Sequence, residues 1–135
     1  MQEEEDIINA ISDKISLDIF KTIATQSTTD SKALKTNLKL TARQYYNRTS
    51  RMTKVGLVKR ENGKYYLTSL GKIVYNAESN IRMALQHYWK LKAIDTLQEG
   101  NLNRQLPIEE YSKILEKLID VPEIREILKH PNSKY

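Results

Sequence analysis

Asn62-Gly63 stands between "LVKR" and "KYYL", and no other pair limits this chain's fold as sharply. Both residues accept positive φ, which the tight turn of a two-residue β-hairpin demands. The runs on either side are short and carry β-branched or aromatic side chains. One hairpin, strand–turn–strand over about 58–67, is therefore expected. Elsewhere apolar residues recur at three- and four-residue steps, and the 135 residues include only four glycines and three prolines. That pattern belongs to helices. The expected fold is mainly α with a small β-hairpin.

Ile8, Ile11, Ile15, Ile19 and Ile23 form one helical face. Ser12-Asp13 and Ser16 can each act as an N-cap, so residues 5–25 read as one helix or as two with a break near 13–16. Glu3, Glu4, Glu5 and Asp6 suit a helix N-terminus, where the dipole favours anions. "TQSTTD" reads as a polar loop. Asp30 can cap a short helix that buries Ala33 and Leu34 and ends near Asn37. Thr41 with Gln44 three places on is a capping box. It opens a helix to about Lys54, with Gly56 just past its end. After the hairpin, Thr68 can cap another helix, whose first turn Gly71 weakens.

That helix has an apolar seam at Val74, Ala77, Ile81, Ala84, Tyr88, Leu91 and Ile94, and it could persist for about 30 residues to "EGN". At roughly 1.5 Å per residue it would measure about 45 Å, so its far half must pack on something. Pro107 fits the first turn of a further helix, with Ile108, Tyr111, Ile114, Leu115 and Leu118 on its face. Asp120 can cap a last helix that starts at Pro122, uses Ile124, Ile127 and Leu128, and stops at Pro131. The expected division is 1–72 and 73–135. No cysteine is present, so disulfides and thiolate metal sites are excluded. No apolar run reaches the roughly 20 residues needed to span a bilayer, and the acidic start is unlike a secretory signal. A cytoplasmic, nucleoid-associated protein is expected, with no membrane partner.

The net charge of +5 conceals an uneven distribution: residues 1–30 carry −5, residues 31–72 carry +10 with a single acid, Glu61, and residues 73–135 carry zero. A segment so lopsided repels itself unless an anion lies against it. The order across 16–67 is helix, short helix, turn, capped helix, hairpin, which is a helix-turn-helix followed by a wing. On the third helix, Tyr45, Thr49 and Met52 share the core side. Arg43, Asn47, Ser50 and Lys54 lie opposite, flanked by Tyr46 and Arg51. Arginine can bond guanine bidentately and asparagine adenine, while lysine and tyrosine suit phosphate oxygens. Lys35 and Lys39 join from the turn, and Lys59, Arg60 and Lys64 from the hairpin tip. With Thr41, Gln44 and Arg48 on the same helix, these residues make the candidate surface for double-stranded DNA.

"LTARQYYNRTSRMTKVGLVKRENGKYYLTSLGKIVYNA" resembles the core of archaeal-type winged-helix transcriptional regulators. It has a Thr41-capped recognition helix, Gly56-Leu57-Val58 entering the wing, Asn62-Gly63 at its tip, and Leu67-Thr68-Ser69-Leu70-Gly71 opening a long helix. The resemblance covers about residues 15–95. It implies sequence-specific duplex binding by a homodimer joined through terminal helices. Thr49 departs from the leucine common in that family, which would loosen the recognition helix's packing. Nothing carries over to residues 105–135.

The seam on the long helix exceeds what a small winged-helix core can cover, and an apolar patch of that kind marks an interface. Ile81, Ala84, Leu85, Tyr88, Trp89, Leu91 and Ile94 are the candidate dimer residues. The competing reading is that the C-terminal helices fold back over the seam. His87 and His130, the only histidines, lack metal-site spacing and read as surface or interface residues. The glutamates of the last two helices read as solvated faces. No nucleotide loop or nucleophile elbow is present, so neither an enzyme nor a cofactor is expected. The alternative function is a winged-helix interaction module in a larger assembly, with non-specific DNA binding. RNA binding is a third, weaker reading, kept open by Tyr45, Tyr46, Tyr65 and Tyr66. A small-molecule effector is not specified by the sequence.

Overall fold

The computed structural model describes residues 2–26, 29–99 and 108–129. It is mainly helical: α1 Glu4–Ala10, α2 Lys14–Thr25, α3 Ser31–Asn37, α4 Ala42–Lys54, α5 Ser69–Gln86, α6 Tyr88–Glu99, α7 Ile108–Leu118 and α8 Pro122–Lys129. The strands β1 Thr29–Asp30, β2 Val58–Glu61 and β3 Lys64–Leu67 form one antiparallel sheet in the order β1-β3-β2. The chain divides into two compact units, Met1–Ala77 and Glu78–Tyr135. Among the described residues, no helix is long and apolar enough to cross a membrane.

In the first unit the N-terminal isoleucine face belongs to two helices. Asp13 causes the break: its carboxylate accepts the Ser16 backbone N–H at 3.1 Å and starts α2 afresh. α1 begins in an acidic capping box made by Glu3 and Asp6. Phe20, Ile19, Leu34, Tyr45, Met52 and Leu57 are fully buried and form the core with Ile23, Val55, Val58 and Tyr65. Each of the larger side chains contributes about 2 kcal/mol by leaving water. The hairpin closes as expected, with Asn62 at φ 53 and Gly63 at φ 76, and Arg60 opposite Tyr65 in its register. The loop reading of "TQSTTD" is corrected at Thr29-Asp30, which add a third strand by pairing with Tyr65 and Lys64. A two-residue strand has no periodicity to betray it. Residues 27–28 lie outside the described residues.

Gly71 has a packing role that its place in the sequence does not reveal. Beyond any weakening of the first turn, it allows α5 to dock, because a Cβ there would lie 2.0 Å from the Leu57 carbonyl oxygen. Thr68 completes the junction. Its backbone N–H donates to that same carbonyl at 3.1 Å, and its hydroxyl oxygen accepts the Gly71 N–H at 3.0 Å.

In the second unit the expected 30-residue helix is broken at His87. The His87 backbone N–H is shared between the Met83 and Ala84 carbonyls, at 3.1 and 3.2 Å, and its ring Nδ1 lies 2.8 Å from the Met83 carbonyl oxygen. Beyond the break the Leu91 N–H donates to the His87 carbonyl at 3.0 Å, so the ladder resumes in α6. α7 and α8 fold back onto α6, so that Ile94 packs with Leu115, Ile119 and Ile124, surrounded by Met83, Leu91, Tyr111, Leu118, Val121 and Leu128. Pro122 is the first residue of α8, as expected. The Asp120 carboxylate lies 3.4 Å from His87 Nε2. The expectations for Pro107, the helix end at "EGN", His130 and Pro131 lie outside the described residues.

Gly71→Ala should lose about 3 kcal/mol or more, because the added methyl meets backbone that cannot yield. Gly63→Ala meets open space and should cost only the left-handed strain, about 1–2 kcal/mol. Urea unfolding of the two variants checks the ranking.

Candidate nucleic-acid interface

α4 is held at its start, its middle and its end. At the start, the Thr41 hydroxyl accepts the Gln44 backbone N–H at 3.1 Å, and Gln44 Oε1 accepts the Thr41 N–H at 3.0 Å. These two candidate contact residues therefore direct their side chains at each other. Along the middle, Tyr45, Thr49 and Met52 are buried. The buried Thr49 hydroxyl donates to the Tyr45 carbonyl at 2.8 Å, so this polar group is satisfied within its own helix. At the end, Gly56 takes φ 89, and the Leu57 N–H returns to the Met52 carbonyl at 2.9 Å.

The opposite side of α4 presents Arg43, Tyr46, Asn47, Ser50, Arg51 and Lys54, all exposed. Three and four residues separate successive members of the row 43, 47, 50, 54, so they stand one above another along the helix. Lys39 occupies the left-handed region, φ 54, in the turn before α4 and is exposed. The Lys35 ammonium lies 5.4 and 5.7 Å from the Tyr45 and Tyr46 ring centres. This is a cation–π arrangement that keeps its charge beside the N-terminal half of α4.

Arg48 is a correction. Its Nε donates to Asp13 Oδ2 at 3.0 Å, which ties α4 to the start of α2 and takes Arg48 off the solvent-facing row. Burial tends to raise the Asp13 carboxyl, but hydrogen bonds from Ser16 and from Arg48, together with the Arg48 charge, outweigh it and lower the pKa to about 2. The pairing spans 35 positions, so nothing local in the sequence announces it.

The hairpin cations do not share one face. Arg60 lies opposite Tyr65 in the register and reaches to 5.9 Å from its ring centre; Tyr65 in turn packs edge-on against Tyr45 of α4, 6.3 Å away. Lys59 and Lys64 belong to the other face, because side chains alternate along a strand. There Lys59 Nζ lies 3.5 Å from Glu61 Oε1. The acids are also less remote than the charge pattern suggests. Gln2 donates to the Lys54 carbonyl at 3.1 Å. A cleft of about 590 Å³ runs between α1 and α4, lined by Gln2, Asp6, Asn9 and Ser12 on one side and Arg51, Lys54 and Val55 on the other. Asp6 and Asn9 were not among the expected interface residues, and only tertiary packing brings them here.

In the second unit the seven candidate dimer residues separate into two groups. Ile94 is buried in its own chain's core, and Leu91 packs against that core, so these two are corrected as interface residues. Ala84 is half-buried. Ile81, Leu85, Tyr88 and Trp89 remain exposed, at 63%, 68%, 46% and 79%. The Tyr88 and Trp89 rings meet edge to face at 5.1 Å. His87 is corrected too: its side chain is only 12% exposed and serves the intramolecular contacts to Met83 and Asp120. The hydrogen bond from His87 lowers the Asp120 carboxyl.

Compared with known protein families, curated proteins and solved structures, the chain matches none.

The Asp13 carboxyl is lower in the folded chain than its ordinary 3.8. Its contribution is therefore present above about pH 4 and is lost as pH falls through about 2. Asp13→Asn should cost about 1 kcal/mol at pH 7, a figure discounted for solvent screening of the partly exposed pair. The stability gap between the two proteins, followed by urea unfolding, should narrow steadily from pH 4 to pH 2.

Proposed function

We propose that the first unit is a winged helix-turn-helix, with α3 and α4 as the helix pair and β2–β3 as the wing, and that it binds double-stranded DNA sequence-specifically as a transcriptional regulator. One observation carries the reading: the exposed row Arg43, Asn47, Ser50 and Lys54, flanked by Tyr46 and Arg51, lies opposite a buried stripe on a helix fixed at both ends. A rigid helix bearing arginine and asparagine in one row suits the major groove, where those side chains discriminate guanine and adenine. Lys39, Lys64 and Tyr46 supply phosphate contacts, which set position and salt dependence without reading bases. Residues 31–72 carry +10, which favours a polyanionic partner.

The protein acts as a homodimer in this proposal, through Ile81, Leu85, Tyr88 and Trp89. Four large apolar side chains left in water on neighbouring positions favour burial against a second copy, and a two-fold pair is the commonest closed arrangement. The same exposed tryptophan also suits the alternative, a docking module with non-specific DNA binding. The oligomeric state and the base preference separate the two readings.

Selection from a random duplex library should enrich an inverted repeat with half-sites about one helical turn apart. Arg43→Ala and Asn47→Ala should each cost about 1–3 kcal/mol on the selected site and relax its sequence preference. Lys64→Ala should weaken all duplexes alike and reduce the salt slope by about 1. A pool without any enriched motif would reject base readout. Leu85→Glu should convert a dimer into a folded monomer in sedimentation, and a wild-type monomer would reject the dimer.

A further inference from the structure

A second cleft, about 430 Å³, opens in the first unit away from the α4 row. β1 pairs with Tyr65 and Lys64 of β3. Among the described residues, Tyr66 and Leu67 of β3 pair with β2. The C-terminal turn of α2 and the second turn of α5 line the cleft beside them, through Ile23 and Ala24 and through Lys72 and Tyr75. The volume lies within the range of small-molecule sites, which combine apolar walls with a few convergent polar groups.

The lining has a definite chemical sense. Ile23, Ala24 and Leu67 provide apolar surface, and Tyr66 and Tyr75 add aromatic walls. Tyr75 is steadied from behind by an edge-on contact with Phe20, 6.2 Å between ring centres. Lys59 and Lys72 bring two positive charges against the single negative charge of Glu61. The Lys59–Glu61 pair is 3.5 Å long, with both side chains more than half exposed, so it is weak and readily exchanged for another anion. A flat apolar body fits the tyrosine and aliphatic walls, and a carboxylate fits the lysines.

We propose that this cleft binds a small aromatic carboxylate, with the ring against Tyr66, Tyr75 and Leu67 and the carboxylate at Lys59 and Lys72. The site lies behind the wing and does not depend on whether α4 reads DNA.

The test is a titration of the full-length, isotope-labelled chain without DNA, followed by amide resonances. The probes are 2-naphthoate and its uncharged counterpart 2-naphthamide. Naphthoate should shift Ala24, Lys59, Tyr66, Lys72 and Tyr75 saturably and bind more tightly than the amide. Lys72→Ala should weaken naphthoate about fivefold, the loss of one partly exposed charge contact, and Lys90→Ala should leave it unchanged. Equal binding of the amide would overturn the role of the lysines. Saturable shifts confined to other regions, or none at all, would overturn the site. If a short duplex moves Lys59, Lys72 and Tyr75 and naphthoate does not, the cleft belongs to a nucleic-acid grip and the proposal fails.

Discussion

The first unit hangs on the place where α5 begins against the exit of α4. The Leu57 carbonyl lies within 3.1 Å of both the backbone N–H and the hydroxyl of Thr68, and the Gly56 carbonyl also approaches that hydroxyl. A hydroxyl has one proton, so it donates to one carbonyl at a time while its oxygen accepts the Gly71 N–H. These contacts join the end of one helix, both strands of the hairpin and the start of another helix within a few residues of chain. Leu57 is completely buried at the centre. α4 therefore cannot turn about its axis without moving the hairpin and α5 together. For the proposed base readout that rigidity matters, because a contact row is selective only when its backbone is fixed to within a fraction of an ångström.

Features whose partners lie close in sequence were legible. The capping box of α4 joins positions 41 and 44, its buried stripe follows from helical spacing, and the turn at Asn62-Gly63 needs only its own two residues. Pairings across long separations were not. Arg48 carries the same charge as Arg43 and Arg51 and sits on the same helix, yet Asp13 claims it from 35 positions away. Gly71 reads as a helix weakener until the Leu57 carbonyl is known to lie against it. The His87 break was hidden by an apolar seam that runs unbroken through it in sequence. Burial of Ile94 depends on how α7 and α8 return, which loop and helix signals do not specify.

The acids tell a related story. Counting charge along the chain separates an acidic start from a basic middle, but folding returns part of the start to the middle. Asp13 serves α2 as its cap and α4 as a clamp, two uses of one carboxylate. Asp6 lies in the cleft beside Arg51 and Lys54. The basic field is therefore graded along α4. It is tempered toward the C-terminal turn, where any bound polyanion would meet the Asp6 carboxylate.

The strand order β1-β3-β2 leaves β2 as an outer edge of the sheet. An edge strand offers unpaired N–H and C=O groups to any other extended chain, which is the usual seed of aggregation. Here that edge reads Val58, Lys59, Arg60, Glu61, with Val58 buried and the other three exposed. Strand addition would have to bring dense charge into register with its own copy, and the apolar position is already inside. The charges of the hairpin thus guard the monomer fold against runaway β-association at high concentration, independently of what they bind.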